Sequence, residues 1–239
     1  MGNRSKQELK RNRFSRRQLL KDGVTLTLAS SSLAAITYLS HTDQPVRKDK
    51  EKIHTLRSFA LDNSIYPNLV IVRGVDHYKM VKAAVDRIGG IRRYIEPGDK
   101  VVIKPNVAWD RSPEQGANSN PTVVAALVKI LIQEAKASSV IVTDVSLNNP
   151  ARSFARSGIK DAVENAGGKI WIPADDDYRM TDLKGELLKV WPVANIYHFA
   201  DKVINLPVLK HHSLSKATIA MKNWYGALGG KRNRLHQKI

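Results

Sequence analysis

Lys104-Pro105-Asn106, Asp144, Asn205, Lys210-His211-His212 and Lys222-Asn223 are the residues of this chain whose types and spacing could do chemistry. The lysines offer ammonium groups, the histidines imidazoles, the asparagines amides, and Asp144 a carboxylate. Donors outnumber acceptors, a balance that suits a carboxylate or phosphate ligand. A lysine crowded by other cations has a lowered pKa and can act as base or nucleophile. A histidine moves protons near neutral pH. Lys104, His211 and Lys222 are therefore the candidate catalytic residues. Asn106, Asn120, Asp144, Asn205, Lys210 and Asn223 are the candidate ligand-binding residues. The turn from Gly226 to Gly230 would allow the backbone to approach an anion closely.

A metal centre fits less well. Adjacent side chains in an extended segment point to opposite faces, so His211 and His212 cannot share one ion. No His-x3-His pair and no cysteine exists to complete a tetrahedral shell. One histidine, Asp144 and a third group could still make an open site. Each residue also has a plainer reading: Asn and Pro are ordinary turn residues, Asp144 could cap, and His211-His212 could be a solvated pair.

The elements that must position these groups alternate in type. Residues 68–73, 100–104, 139–143, 169–172 and 202–206 are short β-branched runs that read as strands. Apolar residues at helical spacing mark 77–88, 123–137 and 159–166 as helices, with Asn120-Pro121 opening the second. Gly89-Gly90 and Gly167-Gly168 stop the first and third. Residues 106–120 read as a polar loop, 145–157 as loop with a helical turn, and 217–228 as helical. The alternation predicts a three-layer α/β fold, a mainly parallel sheet with helices on both faces. Ligands of such sheets bind beyond the carboxyl ends of the strands. Lys104-Pro105-Asn106, Asp144 and Asn205 fall at that edge, with Lys210-His211-His212 just after.

The amino end is of another kind. Ser15-Arg16-Arg17-Gln18-Leu19-Leu20-Lys21, after a basic leader and before a weakly apolar run to Leu39, resembles a twin-arginine export signal. That run is shorter and more polar than the roughly 20 apolar residues of a membrane span. The reading divides the chain into a signal segment at 1–40, a polar linker at 41–66 and a folded domain at 67–239. It implies the twin-arginine translocation machinery as a partner. The expected location is the periplasm or the outer face of the cytoplasmic membrane, with an uncleaved leader as the anchor. With no cysteine, neither a disulfide nor a thiolate-held iron–sulfur cluster can form.

Net charge is +17 over 239 residues. Residues 1–60 hold 13 Lys/Arg and 5 Asp/Glu, which leaves 26 and 17, a net +9, for the rest. After Asp201 no acidic residue follows, while eight Lys/Arg do. A field of one sign attracts anions. Nucleic acid is set aside, because aromatic interleaving is thin and an exported protein meets little of it.

The segments 98–106, 120–124, 142–144, 201–212 and 218–226 with Gly229-Gly230 resemble, in order and spacing, the domain of unknown function 362 family. A twin-arginine leader also occurs in that family. Many relatives carry an iron–sulfur module of clustered cysteines, which this chain cannot hold. The family pattern normally runs on past the region of His236, so against the resemblance this sequence reads either as a fragment or as a shortened gene product. Two classes of function follow. One is an enzyme acting on a small anion through lysine and histidine. The other is an accessory protein presenting an anion or cofactor to an envelope redox partner. The cofactor itself is not named by the sequence.

Overall fold

The computed structural model describes residues 52–60 and 65–237. The signal segment and the first part of the linker lie outside them. In chain order the elements are β1 (His54–Thr55), α1 (His77–Arg87), β2 (Lys100–Pro105), α2 (Pro121–Gln133), β3 (Ser139–Val142), α3 (Pro150–Arg156), α4 (Ile159–Asn165) and β4 (Lys169–Ile170). They continue with β5 (Tyr178–Asp182), β6 (Val190–Ala194), α5 (Ile196–Phe199), β7 (Lys202–Leu206), β8 (Lys210–His212), β9 (Lys216–Thr218) and α6 (Ala220–Asn223).

Four strands form a parallel sheet in the order β4-β3-β2-β7. From β2 the chain crosses through α2 to β3, and through α3 and α4 to β4. It then returns past β2 to lay β7 on its other side. The strand order thus reverses between β2 and β7, where open α/β sheets leave a crevice at the strands' carboxyl ends. Lys104 stands opposite Asn205 across that reversal.

Period-2 alternation splits β2 between two cores. Val101 and Ile103 pack with Val124, Leu127, Val128 and Leu131 of α2, and with Ile159 and Val163 of α4. Val102 faces the other way, against Val193, Tyr197 and Ala227. Full burial of each such aliphatic side chain contributes about 1.5–3 kcal/mol. The fold is a three-layer α/β arrangement with a mainly parallel central sheet.

The second outer layer differs in make-up from the expectation of helices on both faces. Beside the short α5 it holds a three-stranded sheet, β1-β5-β6, none of whose strands falls in the runs that read as strands from the sequence. Pro192 sits in β6, an edge strand of that sheet, where a missing N–H breaks no ladder. Within the range read as linker, β1 pairs with β5, Leu56 packs on the second core, and Arg57 meets Asp201 at 2.9 Å.

Three other local expectations are corrected. Residues 68–73 form no strand: Leu69 and Ile71 are 77% exposed. Their β-branched character marks a tendency, and without a neighbouring strand and a core to face it is not expressed. The helix expected at 217–228 shrinks to α6 followed by a 3-10 turn, Trp224–Ala227, because its first residues are used in the hairpin β8–β9. Residues 150–156, read as part of a loop, are helical, opened by Asn149 accepting from Arg152 N and by Pro150.

Candidate functional site

Lys104 is the penultimate residue of β2, on the same face as Val102, and is fully buried. Its Nζ donates to Asp144 Oδ1 at 2.7 Å, to the Pro105 carbonyl at 2.8 Å and to Asn223 Oδ1 at 3.2 Å. All three ammonium protons therefore have acceptors. The other Asp144 oxygen accepts from Val107 N at 2.6 Å. A buried charge is tolerable only when it is paired and hydrogen-bonded in this way.

Asn223, brought over the sheet by α6, is the hub. Its Nδ2 donates to the Lys104 carbonyl at 3.0 Å and to Asn205 Oδ1 at 2.7 Å. Its Oδ1 accepts from Asn106 Nδ2 at 3.1 Å as well as from Lys104. Asn205 Nδ2 in turn donates to the Ala220 carbonyl at 2.9 Å, which ties α6 to β7. Lys210 Nζ donates to Asn106 Oδ1 at 2.8 Å and to the Ala117 carbonyl. Ser119 fixes the loop after β2, accepting from Asn106 N at 2.9 Å and donating to the Leu206 carbonyl at 2.8 Å.

Gly226 closes this arrangement. A β-carbon there would overlap Asp144 Oδ1 and stand 2.7 Å from Lys104 Nζ. Only glycine lets the backbone pass so close, and its carbonyl accepts from Val145 N at 2.9 Å.

Beside the network lies a cavity of about 360 Å³, lined by Lys104, Asn106, Asp144, Lys210 and Lys222 among others. Among the lining residues outside the sequence-derived candidate set are His212 and Arg232. Arg232 donates to the carbonyls of Tyr225 at 3.1 Å, Val145 at 2.8 Å and Ser146 at 3.2 Å, and lies 5.1 Å from the Tyr225 ring centre. Lys222 Nζ stands 4.1 Å from the centre of the same ring. Burial pushes the Lys222 ammonium below the ordinary lysine value, and the charges of Arg232 and Lys104 push it the same way. Burial likewise lowers Lys210 and Lys104, with Asp144 opposing the shift in each. Among the described residues no three His, Cys, Asp or Glu side chains gather as a metal cage. No described helix is long and apolar enough to cross a membrane.

A model of the family described as Domain of unknown function (DUF362) matches residues 101–239, more than half of the chain. The chain belongs to the DUF362 family. It is 28% identical over 159 residues to a thylakoid-associated protein of Synechocystis sp., an alignment covering 63% of this chain and 46% of that relative. The chain thus spans less than half the length of the curated relative it matches. No solved structure matches it significantly. The DUF362 match begins inside β2 and contains every member of the network just described.

Of the nine residues singled out from the sequence, seven come together: Lys104, Asn106, Asp144, Asn205, Lys210, Lys222 and Asn223. Two do not. Asn120 is exposed and caps α2, its Oδ1 accepting from Thr122 N at 2.9 Å and Thr122 Oγ1 at 2.7 Å. His211 is exposed on β8, because strand alternation puts Lys210 and His212 on the cavity side and the residue between them outside. His212 Nδ1 accepts from Leu214 N at 3.2 Å and Ser215 N at 3.1 Å, so Nδ1 carries no proton. The pairing of two histidines was a signal for one inward residue, and only the strand register says which. Arg232 had no local signal, being one cation in a basic tail.

Proposed function

We propose that this DUF362 chain binds a small anion, a carboxylate or a phosphate, in the cavity beyond the carboxyl ends of β2 and β7. One observation carries the reading. Four cations, Lys104, Lys210, Lys222 and Arg232, line the cavity, and Asp144 is the one carboxylate among its described lining residues. Asp144 is engaged by Lys104 at 2.7 Å, so the field of the other three is left unbalanced. Like charges confined at such a site repel until an anion neutralises them. The ligand's contacts are assigned to Lys222 and Arg232, neither of which forms an ion pair with a carboxylate among the described residues, Asp144 being engaged by Lys104. Lys104 acts from beneath, sealed from solvent, as the group that sets the floor and its charge. Lys222 is the group left with proton-transfer or nucleophilic capacity, its ammonium lowered by burial and by the charges of Arg232 and Lys104.

A thermal-shift series tests this. Phosphate or a small carboxylate should raise the melting temperature more than chloride at matched ionic strength, growing with the logarithm of its concentration. Lys222→Ala and Arg232→Ala should each remove most of that excess, and a chelator should change nothing. Equal effects of phosphate and chloride would end the anion reading.

We further propose export by the twin-arginine route, supported by Ser15 to Lys21 and the short apolar run behind them.

A further inference from the structure

Lys222 and Tyr225 line two cavities at once. One is the polar cavity. The other is larger, about 560 Å³, and opens on the second face of the sheet. Its walls are almost wholly apolar, with Leu56, Val193, Tyr197, Met221, Trp224 and Leu228 prominent. Lys222 is the one charged side chain among its described lining residues.

Concave sites of this size, mostly apolar with a few polar groups at one end, are the usual form of a small-molecule site. A lysine is suited to the boundary, since its methylene stem lies on apolar surface while its ammonium turns to the polar side. Met221 is 90% exposed and Trp224 41%, so hydrocarbon seated there would cover apolar surface that now meets water. Tyr197 lines the apolar cavity, and its buried hydroxyl has no hydrogen-bond partner.

Resting on the anion reading of the polar cavity, we infer that the two cavities form one bipartite site for a monomeric anionic amphiphile. Its carboxylate or phosphate head is held at Lys222 and Arg232, and its hydrocarbon chain fills the apolar cavity. The charge at the shared wall selects this ligand class: a neutral hydrocarbon would leave Lys222 unmatched, and a bare anion would leave the apolar cavity wet.

Titration calorimetry on the full chain tests it with inorganic phosphate, dodecyl phosphate and dodecyl maltoside, the last two below their micelle concentrations. Dodecyl phosphate should bind at least about tenfold more tightly than either of the others, since it alone fills both parts. Met221→Ser, at an exposed position outside the core, should weaken dodecyl phosphate at least about fivefold and leave inorganic phosphate unchanged. Lys222→Ala should weaken both. If phosphate binds and the dodecyl chain adds nothing, the bipartite site is wrong and the anion reading stands. Dodecyl maltoside binding as tightly as dodecyl phosphate would overturn the head-group assignment. Binding to phosphatidylglycerol vesicles without binding of monomeric dodecyl phosphate would replace the pocket with a membrane-surface contact. If neither phosphate nor dodecyl phosphate binds, both readings fall.

Discussion

Lys104, Asp144 and Gly226 depend on one another. The ammonium is buried because the carboxylate is there, and the carboxylate has room because residue 226 has no side chain. Removing one partner leaves an uncompensated buried charge, so Asp144→Ala should lower unfolding stability by about 3–5 kcal/mol. Gly226→Ala should produce a loss of similar kind by driving the carboxylate off Lys104. Urea denaturation of both variants measures this, and losses below about 1 kcal/mol would show that the network does not hold these segments together. The remaining lysines make a second, pH-dependent prediction. Burial lowers Lys210 and Lys222 in the folded state, so as pH rises toward the ordinary lysine value they release protons while the unfolded chain still keeps its own. The unfolded state then binds more protons, and their contribution to stability climbs with pH through that alkaline window. Lys222→Met should flatten the climb. An unchanged slope in chemical denaturation at several alkaline pH values would contradict the assignment.

At the scale of elements, two residues separate position from chemistry. Asn120 opens α2, and replacing such a cap by Ala costs about 1 kcal/mol. Asn120→Ala should therefore lower stability by that amount and leave the phosphate-induced shift in melting temperature intact. His211 points away from the cavity on β8, so His211→Ala should change stability by less than about 0.5 kcal/mol, the usual range for a surface change, and the phosphate response not at all. Loss of the phosphate response in either variant would mean that the ligand is held elsewhere. The pairing of β2 with β7 matters more than either residue, since it sets Lys104 opposite Asn205 and gives Asn223 a fixed pair of partners. A one-residue slip of β7 would turn Asn205 to the other face.

For the whole molecule, the folded part and the leader carry separate messages. The folded part supplies the candidate site; the export proposal rests on the leader, which lies outside the described residues. Arg16→Lys with Arg17→Lys should leave the protein in the cytoplasm, folded and with its phosphate response unchanged. Fractionation checks the first point and thermal shift the second. Continued arrival at the cell envelope would contradict the twin-arginine reading.

The sequence by itself determined the sheet that carries the site. Continuous apolar runs at 101–103 and 140–142 can be satisfied only by burial on both faces, which a parallel sheet between two layers provides. It also determined that polar groups cluster at the ends of those strands, because a Lys or Asp directly after such a run must find partners at the rim. Whether 68–73 paired was left to tertiary structure, since a strand needs a neighbour as well as a propensity. So was the hairpin β5–β6, whose residues gain their partners only from β1 and the second core. The face of β8 decided between His211 and His212, and the closing of the basic tail over Val145 and Ser146 brought in Arg232. Those outcomes depend on contacts between residues far apart in the chain, up to 87 positions for Arg232 and 119 for Lys104 with Asn223. Local pattern records what a segment can bury; which distant group meets it is settled only when the layers close.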